Sequence, residues 1–159
     1  MYEPHDLDDL TPHAAVDAVI EDIAAHPVTP GPGGLFTATR HISLISHLVT
    51  RFAGDSLSYA EHAHEQPSGA WRPVEALTTA AVPLAQALTR YTQALVSLAA
   101  LSRPTPHTST KDAVDRIDLH RHLPAIGHCL SDARTALSSR VTAAPGVPPS
   151  PDTTPGRRR

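Results

Sequence analysis

The chain has 159 residues, of which 40% are hydrophobic, 18% charged and only 4% aromatic. That length fits one domain with enough apolar residues to bury a core. A single cysteine excludes an internal disulfide framework and any Cys-based zinc site, and a net charge of −3 argues against a dedicated nucleic-acid binder.

The first ten residues are acidic and have no apolar run of the kind a signal peptide needs, so they read as a flexible N-terminal segment, residues 1–10, of a cytoplasmic protein. Thr11 followed by Pro12 reads as an N-cap with proline at the first helical position, where its missing N–H costs nothing. Val16, Val19, Ile20 and Ile23 then recur at helical spacing, and Pro27 ends the pattern. A first helix is expected over 12–26. The proline- and glycine-rich stretch 28–34 reads as a linker.

A second helix is expected over 35–65, where Ala38, Ile42, Ile45, Val49 and Phe52 mark one face and Leu44 and Leu48 widen it. Gly54 weakens it by about 1 kcal/mol relative to alanine. The third segment, 71–102, carries the clearest pattern. Val74, Leu77, Ala81, Leu84, Leu88, Tyr91, Leu95 and Leu98 keep 3-4 spacing throughout, with Ala80, Ala87 and Ala94 beside them. Such a helix belongs in the middle of a bundle. It also holds Arg90 and Pro83, which disfavour a membrane span.

The fourth segment, 110–142, changes phase between Ile117 and Leu119 and contains Pro124, so a kink or restart is expected near 122–124. Residues 143–159 are a Pro/Arg-rich tail with no period and are expected to be disordered. The fold class that follows is all-α. Three long antiparallel helices form an up-down bundle with a short N-terminal helix, in a single domain over residues 11–142.

Charge is unevenly placed. Residues 1–35 hold seven acids and no Lys or Arg, which leaves +4 on the remainder. The second helix has a basic face built on Arg40, His47 and Arg51, so the acidic first helix is expected to pack toward it. Read functionally, Arg40 and Arg51, with the arginine tail, make a nucleic-acid accessory surface; read structurally, they are a solvated face.

The 11 histidines are the one abnormal count. His62/His64 and His120/His122 are two residues apart and point away from each other on a helix, so neither pair chelates one ion. Glu61 with His64 keeps the i,i+3 spacing of a metal-ligating unit and is the candidate divalent-metal site. Folding the third and fourth segments about Pro106 brings Arg90 level with His122. Folding the second and third about Ser68 brings Arg90 level with His47. The candidate anion or polar layer is therefore His47, Arg90, Asp118 and His122, with Arg90 as clamp and Asp118 as counter-charge. No phosphate loop and no nucleophile elbow occurs. The composite expectation is a non-enzymatic bundle acting through a protein partner or self-association, without a cofactor. The alternatives are a metal- or anion-binding bundle and a nucleic-acid accessory protein.

Overall fold

The computed structural model describes residues 2–63, 71–103 and 110–138. Among them are four α-helices and no strand: α1 Pro12–Ala25, α2 Pro32–Ala63, α3 Trp71–Leu101 and α4 Thr110–Ser138. The tail expected to be disordered, 143–159, lies outside the described residues, as do the last residues of the expected fourth helix.

The ends follow their capping chemistry. The Thr11 hydroxyl accepts from the Ala14 N–H at 3.3 Å and Pro12 occupies the first turn of α1. The second helix starts three residues before the expected 35, because Pro32 serves as its first position and the Gly31 carbonyl accepts the Leu35 N–H. Gly31 has φ +127°, a left-handed conformation that glycine adopts without penalty. Gly34 is required for a different reason: the Thr29 carbonyl passes so close that a Cβ there would collide with it. Of the kink or restart expected near 122–124, a restart is absent. The fourth helix runs continuously through Pro124, as α3 does through Pro83.

Packing is set by matching seams. On α3 the buried line is Leu77, Ala80, Leu84, Ala87, Tyr91, Ala94, Leu98 and Leu101. On α2, Ala38, His41, Ile45, Leu48 and Phe52 are buried, and each lies level with a buried α3 residue if the hairpin folds about residue 66. On α4, Leu119, Ile126 and Ala133 stand in the same relation to Leu101, Ala94 and Ala87 about residue 110, and Leu137 falls within one residue of Leu84. Short helix α1 closes the remaining side, packing against both α2 and α4. The result is an all-α up-down bundle with α3 between its two long neighbours.

The N-terminal segment is not free. Residues Pro4–Leu7 form a single 3-10 turn, and Leu7 is fully buried in the common core. This differs from the flexible segment expected over 1–10. The cause is a row of donors on α2 that the segment's carbonyls satisfy. The Arg51 guanidinium donates to the Leu7 carbonyl and, at 2.6 Å, to the Leu10 carbonyl. The His47 ring meets the Asp8 carboxylate at 2.7 Å.

Candidate functional site

The fold gathers a polar cluster into its core from three different helices. Asp22 arrives from α1, Arg40 and His41 from α2, and Tyr91 from α3. Asp22 is 3% exposed, His41 0% and Tyr91 1%. Arg40 grips Asp22 with two nitrogens, at 2.7 and 3.0 Å, and donates also to the Tyr2 carbonyl. This fork-on-carboxylate geometry is the strong form of an ion pair. The Tyr2 N–H adds a weaker bond to Asp22 at 3.4 Å. His26, one turn after Asp22, sits 3.4 Å from the same carboxylate.

On the inner side His41 bridges to α3. Its Nδ1 lies 2.8 Å from the Tyr91 hydroxyl, and its Nε2 points toward Asp22 Oδ2 at 3.6 Å without forming a hydrogen bond. The tautomer that serves both ends keeps the proton on Nε2, facing the carboxylate, while the Tyr91 O–H donates to Nδ1. The two rings also meet edge to face, with centroids 5.7 Å apart.

Burial and charge set the protonation states. Burial pushes the His41 imidazole down to about 4, Asp22 pulls against that, and Arg40 and His26 reinforce it, so His41 is neutral at pH 7. Burial raises the Asp22 carboxyl, but the hydrogen bond and charge of Arg40 outweigh it and hold the group below its ordinary value. Burial, then the Asp22 charge, raises the Tyr91 phenol above its ordinary range. The chain Tyr–His–Asp–Arg has the wiring of a general-base relay. Its reacting atoms are sealed in the core, however, and the nearest recess, about 250 Å³ and lined by Tyr2, Phe36, Thr39 and Arg40, touches only the outer side of Arg40. What this arrangement does is lock three helices and the N-terminal segment into one register.

The chain matches no family model, no curated protein and no solved structure.

The residues expected to form a polar layer are not brought together. His47 faces Asp8 on the N-terminal segment. Arg90 is exposed and shares a groove with Gln86, Thr89, Gln93 and Cys129. Asp118 and His122 are half-buried on α4, and the His122 Nδ1 is buried without a hydrogen-bond partner. Among the described residues Arg90 and Asp118 form no ion pair with each other. The reason is register. Apolar matching folds the α3–α4 hairpin about residue 110 and not 106, so Arg90 comes level with Leu130, beside Cys129, eight residues and about 12 Å beyond His122.

The basic face of α2 is neither a solvated surface nor an open anion stripe. Arg40 and Arg51 point into the fold and hold Asp22 and the backbone of residues 2–10. The acidic start of the chain does turn toward that face, as its charge requires. Of the metal candidates, Glu61 is exposed near the end of α2, and His64 lies outside the described residues. No group of three or more His, Cys, Asp or Glu among the described residues is placed to hold an ion.

Sequence reasoning missed Asp22, His41 and Tyr91 as a set, although a signal existed. His41 falls on the 3-4 line Ala38–His41–Ile45–Leu48–Phe52, and Tyr91 on the main seam of α3. A polar-tipped side chain on a core line needs a buried partner.

Proposed function

We propose that the protein is a non-enzymatic helical bundle that acts by binding another protein through the outer face of α3. The observation that supports this reading most directly is a second line of residues on that helix. Thr78, Val82, Ala85, Thr89, Thr92, Val96 and Ala99 recur at 3-4 spacing, carry no charge and are all exposed. The solvent face of a bundle helix ordinarily carries charged and polar groups. Here the threonines hide their polarity. Thr78 donates its hydroxyl to the Val74 carbonyl at 2.7 Å, Thr89 to Ala85 at 2.9 Å and Thr92 to Thr89 at 2.8 Å. With those hydroxyls turned back onto their own helix, the methyl groups are what the face presents.

Two further features fit a scaffold rather than a catalyst. The polar cluster faces inward and organises the fold, and the exposed large apolar side chains, among them Val82 at 58% and Val96 at 72%, lie outside it. Single exposed apolar residues are ordinary, but an uncharged line from Thr78 to Ala99 supports reading this face as a contact surface.

Site-specific photocrosslinking in cells tests the reading. A photoreactive residue at Ala85 on this face should give discrete protein adducts, and one at the exposed Ala53 of α2 should not. Equal adduct patterns at the two positions would overturn it.

A further inference from the structure

One line of α2 faces the N-terminal segment. Arg40, Leu44, His47 and Arg51 recur at 4-3-4 spacing, so they share one side of the helix. Leu44 is fully buried in the same core as Leu7, and the other three residues hold the segment. What they hold is mostly main chain. The carbonyls of Tyr2, Leu7 and Leu10 accept from Arg40 and Arg51, and the Tyr2 N–H donates to Asp22. Such groups belong to any peptide. Two side chains add identity: Leu7 is the one fully buried residue of 2–10, and the exposed Asp8 reaches His47.

We infer that this side of α2 is a peptide-binding site, with residues 2–10 as its resident and displaceable ligand. Its external partner is an acidic segment of another protein that carries leucine followed by aspartate. This contact is separate from the outer face of α3. The division of labour is that of peptide recognition, in which main-chain bonds give affinity and a pocket for one side chain gives selectivity. Charge selects the same class of ligand. Residues 2–10 hold four acids, Glu3, Asp6, Asp8 and Asp9, and no Lys or Arg, while α2 offers Arg40, His47 and Arg51. Opposite charges speed the approach of such a segment and disfavour a basic one.

The resident segment can leave without unfolding the bundle. Its only regular structure is a four-residue 3-10 turn closed by its own Glu3 and Asp6, and it places a single buried side chain in the core. The Arg40–Asp22 pair still joins α2 to α1 when the segment lifts. Release is therefore a local opening of the kind that binding sites draw on. While in place, the segment competes from within the chain at an effective concentration of about a millimolar, so an external peptide gains the site when the resident is weakened.

Fluorescence polarisation of a labelled synthetic peptide of residues 2–10, titrated with the full chain, tests the inference. Leu7→Ala in the chain weakens the resident and leaves α2 unchanged, so this variant should bind the peptide at least about tenfold more tightly than the wild type. Asp8→Lys alters an exposed site outside the core and should give a gain of about two- to fivefold. If Leu7→Ala does not fold, Asp8→Lys decides alone. The peptide carrying Leu7→Ala should bind at least about tenfold more weakly than the natural one. Arg51→Ala added to the Leu7→Ala chain should weaken peptide binding about fivefold while circular dichroism stays helical. No gain in either chain variant would overturn the inference, as would a peptide whose binding ignores its own leucine. A wild-type dimer that the peptide takes apart would assign the site to a second copy, and so overturn the external partner.

Discussion

His41 occupies a position on α2 that the helix period assigns to the core, and four neighbours act on the imidazole there. Tyr91 donates to its Nδ1, Asp22 faces its Nε2, and Arg40 with His26 opposes its protonation. Burial holds the folded imidazole neutral until about pH 4, whereas in the unfolded chain it takes up a proton near 6.5. Between those values the unfolded state binds more protons, so stability must fall as the pH is lowered through that window. The full loss is on the order of 3 kcal/mol. Asp22, held below the ordinary carboxyl range by Arg40, continues the loss at lower pH because it too protonates more readily when unfolded. Urea unfolding at pH 7 and at pH 4.5 measures the effect. His41→Gln keeps a polar group and removes the titration, and it should flatten the dependence over this window. A variant with the same slope as the wild type would show that His41 is not its source.

At the scale of the helices, glycine distinguishes positions that need flexibility from positions that merely tolerate it. A Cβ added at Gly54 in α2 or at Gly127 in α4 meets nothing within 4 Å. Both lie inside helices and are exposed, so Gly54→Ala and Gly127→Ala should each stabilise the protein by roughly 0.5–1 kcal/mol. Gly34→Ala has the opposite sign, since the Thr29 backbone must move away to admit it. Thermal midpoints of the three variants check the contrast, and a stable Gly34→Ala would show that the 28–34 turn is looser than its geometry. The same turn shows what local sequence conceals. Thr11–Pro12 announced the start of α1, and the 3-4 seam from Leu77 to Leu98 announced α3, because capping and periodicity act over neighbouring residues. Pro32 was read as part of a linker because two glycines follow it. Its role as a first helical residue depends on Thr29 and Gly31 closing over those glycines. The candidate site was hidden for a related reason. Asp22, His41 and Tyr91 look unremarkable one at a time, and only the register between three helices brings them to one point. That register is decided by seam matching along each entire interface, and turn position estimated it wrongly for α4 by two helical turns.

Across the whole molecule the helices differ in length, so the bundle is not four-stranded along its full axis. The first helix has 14 residues, about 21 Å, against 32 residues and about 48 Å for α2. Its two ends are located by side-chain contacts. Asp22 meets Arg40 near the start of α2, and His13 meets Ser138 at 2.9 Å, where the described part of α4 stops. Between those levels lie most of the fully buried residues: Val16, Val19, His41, Ile45, Leu48, Leu84, Ala87, Tyr91, Ile126 and Leu130. Outside them the helices thin out. The start of α4 carries Val114 at 49% and Ile117 at 59% exposure, and the end of α2 carries Leu57 at 62% and Tyr59 at 50%. Opening such ends exposes little new apolar surface, so their amides should exchange by local fraying, while those of the four-helix section should exchange only through global unfolding. Native-state hydrogen exchange should therefore find residues 112–117 and 57–62 at least about 100-fold faster than 45–49, 84–91 and 126–130, a difference of roughly 3 kcal/mol in opening free energy. Added urea sharpens the test, because global opening responds steeply to denaturant and local fraying hardly at all. Uniform protection along α2 would mean that other parts of the chain, or a second copy, complete the bundle beyond the reach of α1.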